Sequence, residues 1–226
     1  MKLEQVEIRS GAGTVRLVGH VTWRGRTDEL YFEYPEHQAA FVSARADGFA
    51  AVLLPAAMRA GEDLEIVPPV SPSLAFSLPR IRDAFHCWHP DELARIALDL
   101  TSRPKETPPD PRRAATFFSG GVDSFYTLLK YLRSEPLPVP LGHLIFMRGM
   151  AFPLESGAQV EAGVRSVSEV AARLGLEAVV GTTNLRSVFP EPFLMWERHF
   201  FGSALAGTAL TLGGGFDYVC IPSSFT

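Results

Sequence analysis

The passage that most constrains this chain runs from a short apolar segment through a glycine turn into a helix. Ala114 to Phe118 reads as a strand, Ser119-Gly120-Gly121-Val122-Asp123-Ser124 follows at once, and Val122 to Arg133 has helical spacing, with Phe125, Leu128, Leu129 and Leu132 expected on one face. Adjacent glycines let the backbone turn sharply and approach a ligand without a Cβ clash. The helix behind them begins with unpaired N–H groups and the positive end of its dipole, an anion site. Ser119 and Ser124 add hydroxyl donors. Asp123 places a carboxylate where a bound phosphate would lie, which implies a bridging cation. Magnesium, with its taste for carboxylate and phosphate oxygens, fits that role. The plainer alternative is an ordinary strand-to-helix turn capped by Asp123 or Ser124.

Downstream, strand and helix alternate. Leu141 to Met147 and Leu176 to Val180 read as strands, and Phe216 to Ile221 as a fourth. Ser156 to Leu174 reads as a helix ended by Gly175, and Phe193 to Leu212 as another. Repeated β–α units imply a parallel sheet with right-handed crossovers. Upstream the pattern is mixed. Val15, Leu17, Val21 and Trp23 alternate with Arg16, Val18, His20 and Thr22, Leu30 to Tyr34 is a second strand, and Asp47 to Arg59 is a helix stopped by Gly61. Leu64 to Val67 and Ala94 to Leu98 are further strand candidates. Between the halves, Ser102 to Arg113 is polar and holds four prolines, a linker composition. The expected organisation is therefore an α+β module over residues 1–101, a linker over 102–113 and an α/β domain over 114–226.

Of the 226 residues, 46% are hydrophobic, enough for a large core. The net charge of −4 gives no electrostatic reason to expect nucleic acid as a partner. Cys87 and Cys220 are too far apart for a CxxC motif, so neither a disulfide framework nor a cysteine-rich zinc site is expected. Met1 to Arg9 lacks the apolar core of a signal peptide, and the uncharged run Phe200 to Phe216 is shorter than a membrane span. These features read as a reduced cytoplasmic protein with no membrane partner; a homodimer stays open.

Phe117-Phe118-Ser119-Gly120-Gly121-Val122-Asp123-Ser124 closely resembles the SGGxDS loop of the N-type ATP pyrophosphatases, the PP-loop superfamily. The resemblance covers the chain from about Ala114 onward. It implies a parallel, doubly wound, Rossmann-like sheet. It also implies an ATP-dependent ligase that adenylates a substrate oxygen, releases pyrophosphate and lets an amine or ammonia displace AMP. ATP and Mg²⁺ would be its cofactors and a small molecule its substrate. Ser119, Gly120, Gly121, Val122, Asp123 and Ser124 would grip pyrophosphate, with Asp123 on the metal. By position in the fold, Ile145-Phe146-Met147 would run past adenine. Domains of this kind continue into a fifth strand, so either a fragment or a reduced member of the family is expected here. The alternative class is a module that binds nucleotide as a sensor or scaffold and releases no pyrophosphate. The cysteines required by the amidotransferase, thiolation and zinc-binding branches have no counterpart.

Other residues stand out by their chemistry alone. Thr182-Thr183-Asn184-Leu185-Arg186 follows a strand, where ligands gather in parallel sheets. Arg186 is the candidate catalytic cation there, for a phosphate or a substrate carboxylate; a surface loop arginine is the alternative. Arg198 is read as a first-turn arginine facing cleft or solvent, and His199, near Trp196, as structural. Ser223 and Ser224 sit where cleft residues or a simple strand exit would fall. His86-Cys87-Trp88-His89 holds three ligand-type side chains but no fourth nearby, so it reads as an aromatic segment. Gly11-Ala12-Gly13 precedes a strand, so it is a turn and no dinucleotide motif.

Overall fold

The computed structural model of the chain describes residues 1–103, 113–135 and 137–222. Three long strands come first: β1 (Lys2–Gly11), β2 (Thr14–Trp23) and β3 (Arg26–Pro35). The residues at both hairpin tips, Ala12-Gly13 and Arg24-Gly25, have positive φ, which matches the twist of the flanking strands. Gly11-Ala12-Gly13 is thus a turn, as expected. Next come α1 (Asp47–Ala60), β4 (Leu64–Val70), α2 (Pro72–Trp88) and β5 (Leu98–Ser102). The second half holds β6 (Ala114–Phe117), α3 (Val122–Leu129), β7 (Leu141–Arg148), α4 (Gly157–Leu174), β8 (Glu177–Thr183), the short α5 (Leu185–Val188), α6 (Phe201–Thr211) and β9 (Tyr218–Cys220).

Among the described residues, nine strands form one sheet in the order β5-β4-β1-β2-β3-β8-β7-β6-β9. β6 runs parallel to both its neighbours, β7 and β9, as expected for an α/β domain. β7 and β8 are parallel too, so four adjacent strands point the same way. The N-terminal hairpins are antiparallel. The expectation of a separate N-terminal module differs from what is seen. Phe32 and Glu33 of β3 pair antiparallel with Thr183 and Thr182 of β8. One buried cluster runs from Leu3 through Phe49 and Ile145 to Phe216. The open edge of β8 presents unpaired backbone groups, and β3 supplies their partners. Most of the expected linker, residues 104–112, lies outside the described residues.

Helices cover the second half of the sheet on both faces. Leu128 of α3 and Val167 and Ala171 of α4 pack with Phe118 and Phe146 on one face. Ala204 and Leu205 of α6 pack with Ile145 and Met147 on the other. α1 lies beneath α6 and is apolar almost all round, from Phe49 to Met58, so it is buried all round. On the outer face of the hairpins, water-facing ion pairs join Arg9 to Glu29 and Arg16 to Glu33.

Some boundaries moved. α3 ends at Leu129 and passes into a wide π-helical turn over Lys130–Ser134, where Glu135 donates its N–H to the Lys130 carbonyl. Its buried face is Ser124 and Leu128, while Phe125 and Leu129 are partly exposed. The helix expected from Phe193 begins only at Phe201. A tight turn, with Phe193 N–H bound to the Pro190 carbonyl, and a π-helical turn over Trp196–Phe200 take up the residues between.

One buried titratable group in this frame has a measurable consequence. His143 of β7 lies between the rings of Phe41 and Phe216, with centroids 5.5 and 4.9 Å away. Burial pushes its pKa below the ordinary 6.5, against the pull of Glu177 and helped by Arg113. As pH falls through 6.5 the unfolded chain takes up this proton before the native one does, so native stability drops until the lowered native value is passed. The urea midpoint is expected to fall more between pH ~7.5 and ~5.5 in the wild type than in His143→Leu. Equal slopes would show that His143 is not the group responsible.

Candidate functional site

The chain leaves β6 at a switch point. From β6 it crosses to β7 and β8 on one side, with α3 and α4 on one face of the sheet. It then returns along the other face through α6 to β9, on the opposite side of β6. Crossovers that diverge this way leave a crevice at the strands' carboxyl ends, where α/β proteins bind ligands. Ser119–Ser124 emerges from β6 into that crevice.

The loop geometry follows from its residues. Phe118 donates its N–H to the Ile145 carbonyl (2.9 Å), which holds the last residue before the turn against β7. Gly120 has φ +82°, a left-handed conformation that side chains disfavour. Gly121, at the helix N-cap, has ordinary extended angles. Its N–H donates to Ser119 Oγ at 3.4 Å, and its carbonyl accepts from Phe125 N–H and from Ser124 Oγ (2.7 Å). Helix geometry leaves the first-turn N–H groups without intrahelical partners. Val122 and Asp123 are exposed, whereas Ser124 is buried. The expected donor role of Ser124 needs revision, because its proton is engaged by the Gly121 carbonyl.

Beside this loop lies a cleft that opens to solvent. Ser119 and Ser124 line it together with Ile145, Phe146 and Met147, the segment expected near a base. Because side chains alternate, Phe146 belongs to the α3–α4 face and Met147 to the α6 face, and the cleft opens across the strand end. Met150, Ala151, Phe201 and Leu205 complete the wall, with Pro222 after β9. Met150 and Ala151 were missed in the sequence, although the rule that points to Arg186 also points to every loop at this edge. Ser223 and Ser224 lie outside the described residues.

Arg186 stands at the same edge of the sheet, as expected, but does not line the cleft. Its guanidinium donates to the carbonyls of Met150 (3.1 Å) and Ala151 (3.5 Å), approaches Glu191 at 3.6 Å and lies over the Trp196 ring. It therefore braces the loop that forms one cleft wall. Thr183 and Asn184 are committed to the sheet. Thr183 Oγ1 donates to the Tyr31 carbonyl (2.7 Å), and the Asn184 amide bridges Tyr31 N–H and the Glu29 carbonyl.

Arg198 pairs with Glu92 at 2.6 Å, away from the cleft lining. His199 is buried, as a structural histidine would be, and burial holds its pKa below the ordinary value against the attraction of Glu92. His86 donates its Nδ1–H to the Leu93 carbonyl (2.8 Å), and Cys87 is exposed at the end of α2. No described helix is long and apolar enough to cross a membrane. In comparisons with known proteins, no protein family, no curated protein and no solved structure matches the chain.

Proposed function

We propose that the chain is an ATP-binding PP-loop protein, a ligase that adenylates a small-molecule substrate with release of pyrophosphate and acts in the cytoplasm. The observation that carries the reading is the position of Ser119–Ser124. The loop leaves the switch-point strand directly beside an apolar cleft built from Ile145, Phe146 and Met147. Phosphates would lie against the first turn of α3, with Asp123 holding Mg²⁺ between carboxylate and phosphate oxygens. The base would lie in the apolar cleft. Titration calorimetry with Mg-ATP tests the binding half of the proposal, with the same titration in EDTA as reference. Binding without magnesium dependence would remove Asp123 from its assigned role.

A second reading, a nucleotide-binding sensor or scaffold, draws on a specific feature. Among the described residues that line the cleft, none is charged, and the nearby guanidinium of Arg186 faces main-chain carbonyls. Pyrophosphate release separates the two readings. If the ligase reading holds, Arg186 acts as a positioning residue through the Met150–Ala151 wall. Arg186→Ala is then expected to leave ATP affinity nearly unchanged and to slow turnover by roughly a hundredfold, the cost of a small misplacement. Arg186→Lys should not restore the rate, because an ammonium lacks the fork that spans two carbonyls. Equal losses in binding and turnover would instead place Arg186 in direct contact with ATP.

A further inference from the structure

A second cluster lies away from the cleft, where the end of α2 meets the π-helical turn before α6. His89 is the C-cap of α2, Glu92 follows in the next turn, and His199 comes from the turn Trp196–Phe200. One ligand-type atom from each lies within 4.8 Å of the others. The His199 side chain is fully buried, yet neither of its ring nitrogens makes a hydrogen bond. Its Nε2 lies 3.1 Å from Glu92 Oε2, but not in hydrogen-bonding geometry. His89 Nδ1 is also buried without a partner. Buried polar groups left without partners are destabilising, so their concentration at one point calls for something that satisfies them.

We propose that His89, Glu92 and His199 bind a divalent transition-metal ion of the zinc type, which clasps the end of α2 to the segment entering α6. Two imidazoles and one carboxylate are a zinc donor set, with water in a fourth position. With ligand bonds of about 2.0–2.2 Å, a tetrahedral ion holds its ligands roughly 3.3–3.5 Å apart, so closing the cluster takes shifts on the order of 1 Å. One nitrogen of each ring would be satisfied.

The surroundings already fix the ligands. Arg198 holds Glu92 Oε1 at 2.6 Å, which leaves Oε2 toward His199. Arg59 of α1 binds the carbonyls of Glu92 (3.3 Å) and Phe193 (2.9 Å), so one guanidinium pins both ligand-bearing segments. Glu92 N–H donates to the His89 carbonyl (3.1 Å), and His199 N–H to the Met195 carbonyl (3.0 Å). Such outer partners orient metal ligands. Magnesium is disfavoured, because it prefers oxygen ligands and keeps its waters. Phe201, two residues beyond His199, lines the nucleotide cleft, so the clasp would fix the start of α6 there; the metal proposal itself does not depend on what the cleft binds.

The test uses the full chain, stripped with chelator and free of nucleotide. ZnCl₂ is titrated calorimetrically, and CoCl₂ is followed by the visible absorption of tetrahedral cobalt. One ion per chain is expected, with a rise in melting temperature and no equivalent response to MgCl₂. Glu92→Gln and His89→Gln are each expected to weaken binding by roughly a hundredfold or more, and Arg198→Ala by about tenfold. Cys87→Ser should change nothing, which separates this site from the neighbouring exposed thiol. The first two variants alter partly exposed side chains, so they remain informative if a His199 variant fails to fold. Failure of the wild type to bind either ion overturns the proposal. So does binding that survives both Glu92→Gln and His89→Gln, or that is lost only in Cys87→Ser.

Discussion

Gly121→Val is expected to abolish Mg-ATP binding without unfolding the protein, and Asp123→Ala to remove its magnesium-dependent part. The two neighbouring glycines are not equivalent. Gly120, at φ +82°, would strain any side chain, and a Cβ there would press on Ser166 Oγ at 3.3 Å. Loss of binding in a Gly120 variant could therefore arise from a distorted loop. Gly121 has φ −79° and ψ 169°, angles open to a β-branched residue, and its Cβ would meet only Ser119 Oγ at 3.5 Å. The free protein tolerates that contact. An isopropyl group at the N-cap would instead occupy the space phosphates need near the first-turn N–H groups. Asp123 is exposed, so truncating it removes no packing. Its loss should cost ~1.4 kcal/mol or more in affinity, tenfold at least, with magnesium present and little with EDTA. Calorimetry reads both, and a melting curve confirms that both variants fold. Unchanged affinity in both would remove nucleotide from this loop.

The legible parts of the fold are those where one local signal sufficed. Gly61 and Gly175 end α1 and α4 at φ +68°, and the alternation of Val15, Leu17, Val21 and Trp23 gave β2 its buried face. β1 was not read, because a bulge between Leu3 and Gln5 shifts its register and breaks the alternation. α2 was not read either, although Ser71 caps it by accepting from Leu74 N–H and Pro72 follows at the first position. Pro79 inside the helix and polar residues along its length obscured the period. β5 lies a few residues beyond the Ala94–Leu98 segment expected for it.

The candidate site was legible in proportion to how local it is. Ser119–Ser124 and the segment Ile145–Met147 meet at one cleft because neighbouring parallel strands end at one edge. The side-chain commitment of Arg186 depends on the loop after β7 and that of Asn184 on β3, both distant in sequence, so no local pattern could announce them. The same holds for His199 and Glu92. Each looks ordinary alone, and the cluster exists because two turns distant in sequence meet, with Arg59 bound to a carbonyl of each segment.

Gly149→Ala is expected to destabilise the protein far more than Gly175→Ala. Both glycines have positive φ, +85° and +68°. Around Gly175 a Cβ would meet nothing within 4 Å, so the substitution carries only the left-handed penalty of about 1–2 kcal/mol. At Gly149 a Cβ would run into the Thr183 carbonyl oxygen and close on Leu154 at 3.2 Å. Thr183 cannot retreat easily, because its neighbour Thr182 pairs with Arg148 of β7 and Thr183 itself pairs with Phe32 of β3. The clash therefore falls on the joint where the two halves of the sheet meet. Overpacking of this kind adds about 1–3 kcal/mol, for a total of roughly 2–5 kcal/mol. In a chain of this size that corresponds to a fall in melting temperature of about 4–20 °C. The displacement has a second reading at the cleft. Met150 and Ala151 follow directly, and their carbonyls hold Arg186. A shift at Gly149 should loosen that wall, so Gly149→Ala should slow turnover, as Arg186→Ala does, while Gly175→Ala leaves it intact. Melting curves and pyrophosphate release from the two variants give both answers. Equal losses of stability would show that the junction between β7 and β8 yields without cost.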